Sequence, residues 1–331
     1  MRRLRFRFFS RLRRRHWLLA AAVLTAVVVL VGAVALRDPS PVGYFYSARA
    51  QDRYLAAYQE AMADLPEPDR TLDVRTTYGV VRLYHFTGAD PAAEPLLLLP
   101  GRAAGSPVFA DNIPALLRVR SVYTIDLLGE PGLSIQQRPI ATPPDHAQWL
   151  HEMLLALPEQ RFHLLGLSIG GWTAVNLAVH RPEKVASLIL LDPVLVFADL
   201  SPALVLRSIP ASVRWFPKSW RDSFASWTAN GAPVEDVPVA RMIEAGIQTY
   251  VLKLSAPSRI DERHLAKLDV PTLALLAGKS RMHDAAKAAD LARRVLPRAT
   301  VVVYPQASHA INGEYPDRIA ADVAAFLDRL G

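Results

Sequence analysis

The ten residues from Phe162 to Gly171, Phe-His-Leu-Leu-Gly-Leu-Ser-Ile-Gly-Gly, constrain the chain more than any other stretch. An apolar run ends at Gly166. A helical pattern begins after Gly171, with Trp172, Val175, Leu177 and Ala178 as its apolar positions. Ser168 stands between them, which predicts a strand, a sharp turn and a helix with a serine at the apex. G-x-S-x-G in that setting is a nucleophile elbow. The turn is tight, so small residues must flank the serine, and Gly166 and Gly170 meet that demand. The backbone N–H of Ile169, at the start of the helix, is then aimed where an oxyanion would develop.

A chain of 331 residues is long enough for one large α/β domain carrying an insertion. It has no cysteine, which excludes disulfides, thiol catalysis and thiolate metal sites. The net charge of +7 is concentrated at one end, because residues 1–16 hold eight arginines and no acid. Outside that tail 30 basic residues face 31 acidic ones, so the folded body offers no basic surface for nucleic acid.

After this basic tail, Trp17 to Leu36 gives 20 residues with Thr25 as the one polar side chain. As a helix it would be about 30 Å long, enough to cross a bilayer core. Arginines precede it, so the positive-inside rule predicts residues 1–16 in the cytoplasm and the C-terminal domain outside the membrane. The expectation is a transmembrane signal anchor. The alternative is a cleaved signal peptide, with Ala33-Val34-Ala35 as the cleavage site and a secreted product.

Residues 37–71 form a linker and a helix over 47–65, stopped by Pro66 and Pro68. Leu72–Thr76 and Val80–Phe86 predict a hairpin around Tyr78-Gly79. Leu96–Leu99, Val122–Ile125, Phe162–Leu165, Leu188–Leu191, Thr272–Leu276 and Thr300–Tyr304 are short apolar runs, the pattern of strands buried on both faces. Thr142-Pro143-Pro144-Asp145 reads as a helix start, and helices are expected over 285–296 and 316–330. Strands alternating with helices predict a mostly parallel, doubly wound sheet. The alternation stops over 193–268, a Trp- and Pro-containing stretch read as a helical lid. The core is thereby divided into 72–192 and 269–331.

From about Leu72 onward the chain resembles the α/β-hydrolase fold family, in its lidded, esterase-like branch. Four landmarks carry the resemblance in order: Leu97-Leu98-Leu99-Pro100-Gly101-Arg102, then Asp126-Leu127-Leu128-Gly129-Glu130-Pro131-Gly132-Leu133-Ser134, then the Ser168 elbow, and Ser308-His309 after the last strand. Pro100 stands where the family usually has a histidine, and Arg281 where it usually places its catalytic acid.

The resemblance implies Ser168 as nucleophile and His309 as base, with the amides of Ile169 and Arg102 forming the oxyanion hole. The acid has two candidates. Asp192, at the end of the sixth core strand, comes first. Asp284, in the loop after the seventh, is the rival, and it also suits a helix N-cap. The Arg102 side chain fits either an acidic substrate or an exposed salt bridge. The expected chemistry is acyl transfer to water from a small ester with an apolar acyl or alcohol group, with neither metal nor organic cofactor. Other activities on the same fold (acyltransferase, amidase or peptidase, perhydrolase) and a non-catalytic membrane-anchored binding protein are the alternatives, the last favoured by Arg281. The oligomeric state is not legible.

Overall fold

The computed structural model describes residues 23–27, 29, 40–213 and 216–330. The chain divides into two units, residues 1–41 and 42–331. In the first, residues 23–27 and 29 are helical. The basic tail and most of the anchor expected over 17–36 lie outside the described residues. Among the described residues, no helix is long and apolar enough to cross a membrane.

The second unit opens with a two-residue strand, β1 (Tyr44–Phe45), and helix α1 (Ala48–Met62). Then come β2 (Arg70–Thr76), β3 (Gly79–Phe86), β4 (Leu96–Leu99), α2 (Ile113–Leu116), β5 (Val122–Ile125) and β6 (Ile135–Gln136). Helix α3 (Pro143–Leu155), β7 (Phe162–Leu167), α4 (Ile169–His180) and β8 (Val185–Leu191) complete the first part of the core. The inserted stretch holds α5 (Pro202–Ser212), α6 (Lys218–Thr228), α7 (Pro238–Thr249), β9 (Tyr250–Val251) and α8 (Glu262–Leu265). The chain ends with β10 (Thr272–Ala277), α9 (Ala285–Val295), β11 (Ala299–Tyr304), α10 (Ile311–Glu314) and α11 (Pro316–Leu327).

The main sheet runs β2-β3-β5-β4-β7-β8-β10-β11, with β6 paired to β3. The pairs β2–β3 and β3–β5 are antiparallel. From β5 to β11 every pair is parallel, so the sheet is mixed, with a parallel centre. Both faces are covered. Trp149, Leu150, Trp172, Val175 and Leu291 pack from α3, α4 and α9 on one side. Tyr54, Tyr58, Ile113, Val323 and Phe326 pack from α1, α2 and α11 on the other. This is why β4 is four leucines and β8 is apolar at six of its seven positions, all buried.

Register brings the working ends together. Leu99 pairs with Gly166, Leu167 with Leu191, and Leu191 with Leu275. The loops after β4, β7, β8 and β10 therefore leave one edge of the sheet side by side, the place where open α/β sheets hold ligands. A second pairing joins β1 to β9. It ties the entry to α1 to the end of α7. Two-residue strands have no periodicity, and the sequence carries no sign of this ribbon.

Candidate active site

The elbow forms because two carbonyls leave no room for side chains. A Cβ on Gly166 would meet the Gly170 carbonyl, and a Cβ on Gly170 would meet the carbonyl of Leu99 on β4. Ser168 takes φ 54° and ψ −114°, a conformation costly for a non-glycine residue, of order 1–3 kcal/mol. Its amide donates to the Leu191 carbonyl at 3.0 Å. Asp192, the next residue on that neighbouring strand, also has positive φ, at 41°. The two strained residues stand at the ends of adjacent strands.

Ser168, His309 and Asp192 form one hydrogen-bonded chain. The Ser168 Oγ lies 2.9 Å from His309 Nε2. His309 Nδ1 lies 2.6 Å from Asp192 Oδ2. Asp192 is fully buried and its carboxylate is well supplied with donors. The Ala277 amide donates to Oδ1 at 3.2 Å, and the Ser280 hydroxyl to Oδ2 at 2.6 Å. Burial pushes this carboxyl up, but His283 and His309 beside it outweigh that and hold it well below the usual carboxylate range. His309 sits in a loop fastened from below, where Glu314 of α10 accepts from the Ser308 amide at 2.8 Å.

The rival acid is elsewhere. Asp284 caps α9, accepting the Lys287 amide at 3.1 Å, and half of its side chain is exposed. Arg281, where the resemblance expects an acid, turns away: its guanidinium lies 5.3 Å from the Trp227 ring of α6. Two other polar residues of that loop, Ser280 and His283, reach Asp192 instead.

The Ile169 amide opens α4 directly after Ser168. Arg102 follows Gly101, which packs so near that a Cβ on it would lie 3.7 Å from the Ser168 Cβ. The Arg102 guanidinium pairs with Glu130 Oε1 at 2.7 Å. Glu130 is buried, and its other oxygen accepts the Ala103 amide at 3.2 Å. Asp126 fixes the same loop further on, accepting the Ser106 amide at 2.9 Å and the Leu133 amide at 2.7 Å. Tyr58 of α1 donates its hydroxyl to Asp126 Oδ2 at 2.9 Å. Burial pushes the Asp126 carboxyl up against these hydrogen bonds. The salt bridge is one of the two expectations for the Arg102 side chain, while sequence reasoning gives Glu130, Asp126 and the Tyr58 hydroxyl no part in holding these loops. Asp126 and Glu130 stood inside a recognised motif and could have been found there. Tyr58 gave only the signal of a buried helix face.

A cavity of about 1,490 Å³ opens over Ser168 and His309. Its walls include Ala57 of α1, Val108, Phe224 of α6, Ile243 of α7 and Met282. A second space, about 20 Å³, lies beyond Arg102 and Ile169 against Trp149 and Trp172. Among the described residues, no group of three or more His, Cys, Asp or Glu side chains is disposed to hold a metal ion.

The strand order, the elbow and the side chains gathered over it define a hydrolase of the α/β type. The profile of the α/β-hydrolase fold matches residues 94–232, and the chain has that fold. It is similar to carboxylesterase YbfK of Bacillus subtilis (strain 168), 23% identical over 283 residues that span 83% of this chain and 93% of the relative. The uncharacterized carboxylesterase nap of the same organism is 24% identical over 284 residues, spanning 83% and 92%. The crystal structure of carboxylesterase CesB (YbfK) from Bacillus subtilis superposes with a TM-score of 0.76 at 22% identity, over 85% of this chain and 99% of that one. A bacterial membrane phospholipase A superposes with a TM-score of 0.66 at 23% identity, over 96% and 99%. At these identities the superpositions carry the fold.

Proposed function

We propose that the protein is a serine carboxylesterase tethered to a membrane, with Ser168 as nucleophile, His309 as general base and Asp192 as the acid of the triad. The observation that carries this reading is the unbroken contact from Ser168 Oγ through His309 to a fully buried carboxylate, at the floor of a large cavity. The ester assignment is supported by the relatives named as carboxylesterases.

In the first half-reaction the Ser168 Oγ bonds to the ester carbonyl carbon while its proton passes to His309 Nε2. The carbonyl oxygen becomes an oxyanion, met by the amides of Ile169 and Arg102. Asp192 holds the imidazole in the tautomer whose Nε2 is free to accept, and stabilises the imidazolium. The tetrahedral centre collapses, the alkoxide leaves and takes the proton from His309, and an acyl-enzyme remains. Water then attacks the acyl carbon, giving its proton to His309, and Ser168 leaves with that proton restored. Every group required belongs to the chain.

Residues 193–268 act as the lid over this site, and the apolar cavity walls suit an apolar acyl or alcohol group. The tether is the apolar stretch 17–36, with residues 1–16 in the cytoplasm and the catalytic unit outside.

The test is hydrolysis of p-nitrophenyl esters of graded acyl length by the full chain in detergent, beside Ser168→Ala. Turnover by the parent that vanishes in the variant is expected. A folded parent with no turnover on any chain length would overturn the reading.

A further inference from the structure

Asp192 is approached by two histidines, and the mechanism above uses one of them. His309 Nδ1 lies 2.6 Å from Oδ2. His283 comes from the loop after β10 and places its Nε2 3.3 Å from the other oxygen, Oδ1. The His283 side chain is almost wholly buried, with 1% of its surface exposed. Neither of its ring nitrogens makes a well-aligned hydrogen bond among the described residues. An imidazole buried in this way costs free energy unless a polar partner offsets it, and the Asp192 carboxylate stands at that partner's distance. The charged groups facing His283 are Asp192, at the end of β8, and Asp284, next on its own loop; His309, after β11, shares the first of them. Burial works against a proton on His283, but the Asp192 carboxylate more than offsets that and raises its proton affinity above the ordinary imidazole value.

We infer that His283 is a positioning residue: it shares the Asp192 carboxylate with His309 and sets how strongly that carboxylate holds the His309 imidazolium. The inference rests on the triad reading above. Two consequences follow from the shared carboxylate. With His283 in place, each oxygen of Asp192 has its own imidazole, so the carboxylate is held in one orientation toward His309. A donor or cation on Oδ1 also draws on the carboxylate's charge, so His309 surrenders its proton more readily than it would beside an Asp192 held by the Ala277 amide and the Ser280 hydroxyl alone. Removing His283 therefore raises the pH at which His309 becomes a free base, whether His283 acts as a neutral donor or as an imidazolium.

The experiment uses the full chain in detergent and two variants. His283→Leu removes the donor. His283→Gln keeps a neutral donor of similar reach. The acid limb of the kcat/KM profile on a p-nitrophenyl ester is expected to move up by about half a pH unit or more in His283→Leu. In the same variant kcat should fall about tenfold, with KM within about twofold of the parent. His283→Gln should recover most of kcat and shift the limb less. A merely structural residue would lower activity equally at every pH. Acid limbs in both folded variants that coincide with the parent's would overturn the inference.

If His283→Leu does not fold, the titration of the His309 ring followed by NMR in the parent and in His283→Met, which also lacks the donor, gives the same answer, and an unmoved midpoint overturns the inference. That readout needs no turnover, so it separates a failure here from a failure of the esterase reading, which an inactive parent alone would mark.

Discussion

Asp192 and Asp284 are 92 positions apart in sequence and one strand apart in space, since β8 and β10 are neighbours. Both loops leave the same edge of the sheet, so chain order cannot choose between them, and sequence reading left both open. In the structure His309 touches Asp192, and Asp284 caps α9, which is the basis for proposing Asp192. The two residues are therefore expected to respond differently. Asp192→Asn should cut kcat by about 10⁴-fold, because an amide favours the wrong imidazole tautomer. Asp284→Ala should leave kcat unchanged and lower stability by about 1 kcal/mol, the loss of a cap. Ester kinetics beside thermal melts check both. Equal losses of activity in the two variants would contradict the assignment. His283 was legible only as a histidine in an unusual loop, because nothing along the chain says which way a side chain in that loop turns.

At the level of elements, the elbow was readable because its constraint is local. Gly166 and Gly170 are demanded by carbonyls a few ångströms away on the turn itself and on β4. Gly170→Ala is expected to cost about 3 kcal/mol or more, since a main-chain carbonyl of a central strand would have to move. Gly313→Ala in α10 is the control, because a Cβ there meets nothing within 4 Å. Melting temperatures should fall sharply in the first and hardly change in the second. Helix α1 was readable as a helix with one apolar face, with Ser47 at its start. The destination of its Tyr58 hydroxyl was not, because periodicity reports burial and says nothing of hydrogen bonds. Tyr58→Phe leaves the buried Asp126 short of a donor, and a loss of about 1–3 kcal/mol is expected. Because Asp126 also holds the Ser106 amide after the oxyanion loop, kcat should fall in the same variant, checked on a p-nitrophenyl ester at a temperature where it is folded. Full activity in a destabilised Tyr58→Phe would separate α1 from the site.

For the molecule as a whole, the apolar runs of the sequence correspond to the six parallel strands at the centre of the sheet within a few residues at each end. Those strands are buried on both faces, and that burial is what writes a continuous apolar run into a chain. The inserted helices were less distinct, because each packs one side on the core and meets solvent on the other; α6 leaves Trp220 about half exposed. The N-terminal stretch is a separate matter of charge and length: eight arginines, then 20 residues nearly all apolar. Protease added to intact cells should digest the catalytic unit, and the protein should stay with the membrane after carbonate extraction. Complete protection would contradict an outward orientation.

The most direct test of the central claim is labelling of the full-length protein with a fluorophosphonate probe, with the adduct located by mass spectrometry. A single adduct on Ser168 is expected, formed far more slowly in His309→Ala. A folded protein that takes up no probe, or takes it up at another residue, would contradict the account.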